Sequence, residues 1–478
     1  MKRALALLLT SAGLVGCAVG PNYEAPTRAG PPAFVAATPM IAAPAAAPNQ
    51  WWRLYNDPVL DALVQQALSE NTDLQAAAAN LAQARAFLDQ AQAGLFPSTR
   101  LSAGDTFGRT ASANAAATAK GVRATNQWAY SAGLDVSYEV DLLGRVRRSI
   151  ESARANAAAL AATQDFVRVT VAAETTRAYA NACAFGEQVA VARRSVDLVQ
   201  QGYDITVRQH DAGGLSDFDV ARQATLLAQA KALVPRVESQ RLSSLYQLAV
   251  LTGRTPETLS AQADACRTPP LLKQPIPVGD GTQLLRRRPD VAQAERNLAA
   301  ATARIGVATA NLFPTVSLGA GLSASSTTLN GLGQYQNQAF GLGPLISWSF
   351  PNTLVAQAQI KAAEAQASGA LAGFNGTVLN ALKETEQALA AYGGELDRNA
   401  ALAVARDQAS EAQRLAQIRF EAGGSSFLEV LDSERTLVQA QTDLAASDGA
   451  LVSNQITVFK TLGGGWEDAP AIKAPIKN

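Results

Sequence analysis

With 478 residues, 40 basic and 40 acidic side chains and no formal net charge, the chain can bury a sizeable core and shows no bias toward nucleic acid. Its single histidine, His210, leaves nothing from which to build a His cluster, a zinc site or a Ser-His-Asp triad, so no catalysis, metal or cofactor is expected. The apolar share of 48% includes only 6% aromatic residues; alanine supplies much of it and favours long, closely approaching helices.

The chain opens as an export signal over residues 1–16. Lys2 and Arg3 precede an apolar run from Ala4 to Leu9, and Leu14-Val15-Gly16-Cys17 reads as a lipobox. This assigns an S-diacylglycerol and N-acyl lipid to Cys17, and Ala18 in place of Asp points to delivery to the outer membrane. Residues 17–50, rich in Ala and Pro, cannot bury enough surface to order themselves and are expected to form an extended tether. Beyond the signal no run of 18 apolar residues occurs, so no transmembrane helix is available and any spanning portion must be a barrel.

From Trp51 the chain is two copies of one unit, over 51–265 and 285–465, joined by a linker at 266–284 and followed by a tail at 466–478. A shift of 217 superposes Phe96-Pro97 on Phe313-Pro314, Asp73 on Asp290 and Gly104 on Gly321. Past the polar stretch from Thr110 to Gln127, which reads as a loop, the shift becomes 210 and pairs Glu174-Thr175 with Glu384-Thr385 and Gly213-Gly214 with Gly423-Gly424. A length change inside a loop is where a duplicated unit tolerates it.

Helices are expected at 57–95, 145–211 and 216–251 in the first copy and at 289–312, 352–421 and 425–462 in the second. Leu74, Ala77, Leu81, Ala84 and Leu88 recur at steps of three and four, a heptad seam that packs helices closely. Strands are expected at 98–107, 128–140, 315–323 and 338–350. Val316, Leu318, Ala320 and Leu322 alternate there with Thr315, Ser317, Gly319 and Gly321. Period two with one apolar face fits a membrane barrel strand and equally a half-buried soluble sheet. Four strands cannot close a transmembrane barrel, for which eight is the known minimum, so the barrel reading requires an oligomer; three chains supply twelve strands and room for a channel. Arg286, Arg287 and Arg288 are expected to be solvated, and Cys183 and Cys266 to be free thiols, since nothing in the sequence fixes a disulfide geometry between them.

Each long helix ends at Ala-Gly-Gly, a glycine stop. Around these turns gather Asp211, Asp217, Asp219, Glu421, Glu429 and Asp432, with Arg208, Arg222 and Arg419 among them. Acids at a helix start are favoured by the helix dipole alone; carboxylates converging about a symmetry axis would instead form a gate with an electrostatic filter. Both readings stand for Asp217 and Asp219, while Asp432 favours the gate. In the first copy Arg222 occupies the position equivalent to Asp432.

Trp51 through Leu60 (WWRLYNDPVL), Asn71-Thr72-Asp73-Leu74, Arg288-Pro289-Asp290-Val291, Ile305-Gly306-Val307-Ala308 and Leu312-Phe313-Pro314 resemble the TolC/OprM outer-membrane efflux family, nearest its nodulation-type lipoprotein branch. The resemblance implies a mostly α fold with a transmembrane β portion: a homotrimeric twelve-stranded barrel continued by an α-helical coiled-coil tunnel. It implies a passive exit duct served by a periplasmic adaptor protein and an inner-membrane transporter, with outer-membrane lipid around it. It further implies a constriction at Leu428 and Asp432, beside Glu429, and adaptor docking at the hairpin tips Gly213, Gly214, Gly423 and Gly424. Two alternatives are an exit channel for type I protein secretion and a lipoprotein scaffold that forms no channel.

Overall fold

The computed structural model describes residues 18–109, 111–258, 260–351 and 353–473; the lipidation expected at Cys17 lies outside them. A short strand β1 (Ala42–Ala43) and a 3-10 turn (Trp51–Tyr55) lead into α1 (Pro58–Glu70) and α2 (Thr72–Ala93). Then come β2 (Ser98–Gly108), α3 (Ala111–Ala119), β3 (Gln127–Val140), α4 (Arg145–Asp211) and α5 (Asp217–Leu251). At the end of the first copy comes α6 (Ala261–Ala265), the linker holds β4 (Ile276–Pro277), and α7 (Gly281–Arg287) runs from it into the second copy. The second copy follows as α8 (Pro289–Ala310), β5 (Thr315–Ser326), β6 (Gln338–Ser347), α9 (Thr353–Glu421) and α10 (Phe427–Thr461).

Local chemistry explains where these bounds differ from the sequence pattern. The single helix expected over 57–95 is two, because Asn71 adopts an extended backbone and its Oδ1 accepts the N–H groups of Asp73 and Leu74 at 2.9 and 3.2 Å. That caps α2 and stops α1. The loop over Thr110–Gln127 contains α3, a short alanine-rich helix of 9 residues. Strand β6 ends at Ser347 rather than 350, since Ser347 already pairs with Thr315, the first residue of β5, and the ladder has no partner beyond it.

The chain divides into two compact units. One comprises residues up to Pro26, Ala82–Ala159 and Ala294–Gly373. It holds an antiparallel sheet in the order β2-β3-β5-β6. The register sets Leu101 opposite Leu134, Leu134 opposite Leu322 and Leu322 opposite Phe340, an apolar row across all four strands. On the other face Arg100, Asp135, Gly321 and Gly341 form the corresponding row. The apolar row is exposed: Leu101, Phe340 and the neighbouring Leu342 are 81%, 87% and 84% exposed. Aromatics gather toward the strand ends, Phe107 against Trp128 at 5.3 Å and Trp348 stacked on Phe350 at 4.8 Å between ring centroids.

The second unit comprises Thr27–Leu81, Leu160–Gln293 and Phe374 onward. Its core is built on Trp51, which stacks on Phe459 at 4.7 Å and meets Trp52 edge-on, with Leu60, Val64, Leu68, Leu245, Leu389 and Ile456 fully buried around them. Two expectations are corrected in it. Cys183 and Cys266 are not free thiols but a disulfide with Cα atoms 4.8 Å apart; packing of the linker against α4 supplies the proximity that 83 residues of separation concealed. Arg287 and Arg288 are not solvated. Arg287 pairs with Glu467 at 2.7 Å. Arg288, only 6% exposed, donates to Asp290, to Glu384 at 2.8 Å and to the Thr461 carbonyl at 3.0 Å. Arg286 alone of the three is exposed.

The segment expected to be a free tether is ordered, because the body supplies the partners it cannot supply itself. In the first unit Arg148 donates to the Val19 carbonyl and to Asn22. In the second, Glu386 accepts the N–H groups of Val35 and Ala36 at 2.7 and 2.9 Å, Phe34 and Ile41 are buried, and β1 pairs in parallel with β4.

Candidate functional site

The site read from the sequence lies in the second unit, where α4 turns into α5 and α9 into α10. Both turns have the same construction. Gly213 N–H donates to the His210 carbonyl and Gly214 N–H to that of Gln209, each at 2.8 Å; Gly423 and Gly424 do the same to Phe420 and Arg419 at 2.9 and 2.8 Å. This pair of bonds closes a helix with its next residue in the left-handed region, and Gly213 and Gly423 have φ of 80° and 73°. Glycine is required there because a Cβ would strain the backbone, although nothing stands within 4 Å to obstruct one.

The carboxylates divide by role. Asp219 belongs to a capping box: Ser216 Oγ accepts from Asp219 N–H, and Asp219 accepts from Ser216 N–H at 3.1 Å. The Ser216 bonds hold the Asp219 carboxyl below its usual range. Asp217 is almost wholly exposed and meets His210 Nε2 at 3.0 Å, with Asp211 on Nδ1 at 3.3 Å. Glu429 lies 3.7 Å from Arg419, which also donates to the Gly424 carbonyl. Arg222 sits over the exposed Phe218 ring at 5.6 Å.

Leu428 and Asp432 stand one turn apart on the exposed side of α10. The opposite side fixes that direction: Phe427, Val430 and Leu431 are buried with Leu215, Leu226 and Phe420 packed on them. Asp432 and Arg222, equivalent in the duplication, line one hollow of about 370 Å³ together with Gln229, Leu431 and Arg435. Asp432 makes no ion pair within 4 Å among the described residues.

Sequence reading missed one group. Glu434 falls on the heptad seam of Phe427, Val430, Leu431 and Leu437 and is 4% exposed. Burial pushes its carboxyl up to about 7 against a hydrogen bond from Gln223. The signal was there in the register: an acid at a core position of an otherwise apolar seam. Glu174 and Glu384, equivalent in the duplication, bind Lys460 at 2.8 Å and Arg288.

An exposed apolar sheet face and long paired helices define a class of outer-membrane proteins that combine strands with helical hairpins. Comparison supplies the rest. The outer membrane efflux protein family matches residues 63–254 and 281–464, and the chain belongs to that family. It is 31% identical over 432 residues to the pyoverdine export outer membrane protein OpmQ of Pseudomonas aeruginosa, covering 88% of each chain. It is 28% identical to nodulation protein T of Rhizobium leguminosarum bv. viciae, over 98% of this chain and 94% of the relative. Among solved structures, the outer-membrane channel OprN superposes with a TM-score of 0.85 at 33% identity, covering 94% of this chain and 100% of that one. The open-state MtrE outer membrane channel of Neisseria gonorrhoeae gives 0.78 at 25% identity, covering 94% and 99%. The protein is an outer membrane channel of an efflux pump, extending into the periplasm.

Proposed function

We propose that three copies of this chain close a twelve-stranded barrel by pairing β6 of one with β2 of the next, and that the closed assembly is a passive duct for small molecules. The observation that carries the proposal is the sheet itself: four strands with an exposed apolar row across one face, and with β2 and β6 as its edges. An open edge inside hydrocarbon leaves backbone groups unpaired at several kcal/mol each, so closure by neighbours is what such a sheet requires. The duct would receive its cargo from an inner-membrane transporter through a periplasmic adaptor seated on the tips at Gly213, Gly214, Gly423 and Gly424. Cys17 would carry the lipid anchor, and acyl labelling should disappear in Cys17→Ser. Leu428 and Asp432, projecting from α10 with Glu429 on the same turns, would narrow the periplasmic end as a threefold set. Asp217, Asp219 and Arg222 flank the first-copy turn.

The test is conductance of the purified protein in planar bilayers together with its mass in detergent. A trimeric mass with discrete channels is expected; a monomer without conductance would overturn the reading. Asp432→Ala, alone or with Leu428→Ala, should raise conductance or vancomycin entry into cells, and unchanged values in a folded trimer would refute the constriction.

A further inference from the structure

Glu434 of α10 and Gln223 of α5 meet in the second unit as two buried polar side chains, 4% and 0% exposed. Each has an oxygen without a partner among the described residues, Oε2 of Glu434 and Oε1 of Gln223. Gln223 Nε2 is already engaged with the Val199 carbonyl of α4 at 3.4 Å. Gly202 of α4 makes the room: a Cβ there would stand 2.5 Å from Gln223 Nε2 and 3.2 Å from Glu434 Oε2. None of the three residues has its like in the other copy. The shift of 210 sets Ala412 against Gly202, Ser433 against Gln223 and Ala224 against Glu434. A seam that needed only packing would carry a small or apolar residue here, as the other seam does.

In this dry seam the ionised carboxylate would hold its charge with Gln223 as its one side-chain donor and with Oε2 unpartnered, whereas the neutral carboxyl carries no charge to solvate. We propose that Glu434 and Gln223 form a proton-binding site in the seam between α10 and the α4–α5 hairpin, and that its occupancy sets how tightly the first turns of α10 are held.

No neighbouring charge offsets the ionised form. Tyr203 of α4 packs on Val199 and Leu227; Asp432 and Arg435 of α10 are exposed; Glu411 and Arg414 of α9 are exposed and paired with each other. None of them contributes at Glu434, where burial acts first and Gln223 opposes it. The sign follows from linkage. A carboxyl whose value in the folded protein is raised stabilises the fold fully below the ordinary glutamate range, and that contribution is lost as pH rises to about 7. Above this the packed seam holds an ion it cannot solvate, and α10 loosens to admit water. The reading of Leu428 and Asp432 as a constriction is used only for the conductance arm of the test.

The experiment is hydrogen exchange of the full-length protein in detergent between pH 5 and pH 8, corrected for intrinsic exchange and read over residues 427–437. Protection should fall with rising pH by as much as tenfold per unit, the limit for one proton, and level off once pH passes about 7. Glu434→Gln, neutral and isosteric, should show a flat profile, and Glu434→Leu serves the same purpose should the amide misfold. A flat wild-type profile, or a slope retained in either variant, overturns the proposal. If the wild-type slope is present while conductance ignores pH, the proton site stands and the constriction reading fails.

Discussion

Arg288 offers the sharpest test of how the second unit is held together. Its side chain is 8% exposed, and Gly463 packs so closely on it that a Cβ there would stand 2.8 Å from Arg288 Cγ. Burial works against its charge, and the carboxylates of Asp290 and Glu384 outweigh that penalty, raising its pKa above the usual arginine value. Arg288→Met keeps the stem and removes the fork. Breaking a buried pair from one side typically costs about 3–5 kcal/mol. That figure must be discounted, because the Glu384 side chain is 45% exposed and regains water. Asp290, at 22% exposure, and the Thr461 carbonyl recover less, so about 2–3 kcal/mol is expected. Urea unfolding followed by circular dichroism measures it. Arg414→Met is the control, for Arg414 makes a like pair with Glu411 on an open helix face and should leave the transition where it was. A loss for Arg288→Met no greater than that of the control would refute the buried-staple account.

The Cys183–Cys266 bridge closes a loop of 83 residues, for which chain entropy sets an upper bound of about 4.5 kcal/mol; Cys183→Ser should lower the unfolding midpoint, and alkylation of both residues in unreduced, denatured wild type would show that the bridge is absent. Ser216→Ala should cost about 1 kcal/mol in fraying of α5, read by hydrogen exchange at 217–220, since its hydroxyl caps that helix. Ser426, its counterpart, makes no side-chain cap bond, so equal fraying of α10 in Ser426→Ala would contradict the distinction. The Asp219 half of the box, whose carboxyl is held low by Ser216, contributes above the ordinary aspartate range and is lost only as pH falls through its depressed value.

Features written in local pattern were legible. The heptad of α2 and the alternation of β5 depend on residues within a few turns of one another, and the duplication doubled each signal. The glycine stops were legible because a left-handed residue after a helix admits few substitutes. What escaped depends on partners far along the chain. Arg288 reads as one of three surface arginines until Glu384 and Thr461, 96 and 173 residues on, close over it. The arm before Trp51 has the composition of a tether and is ordered by Glu386, about 350 residues away. Asn71 was visible as a motif, but its role as a helix break followed only from its backbone.

Asn71 and Arg288 also show what duplication preserves. They are related by the shift of 217, and Leu251 and Thr461 by the shift of 210. Asn71 donates to the Leu251 carbonyl at 3.1 Å, and Arg288 to the Thr461 carbonyl at 3.0 Å. The same orphan carbonyl near a helix end is satisfied in both copies by different chemistry, so the bond was kept while the residue changed. At the other end of α5 and α10 the reverse holds. Arg222 faces Asp432, Ala224 stands for Glu434, and a capped Ser216 stands for an uncapped Ser426. Identical copies in a trimer would present six equivalent hairpins, and every one would open or none. Divergence between the first turns of α5 and α10 makes the two hairpins of each chain inequivalent, and in the proposed trimer would give two sets of three. This is why a proton held by Glu434 would act on one hairpin in each chain and leave its twin in place.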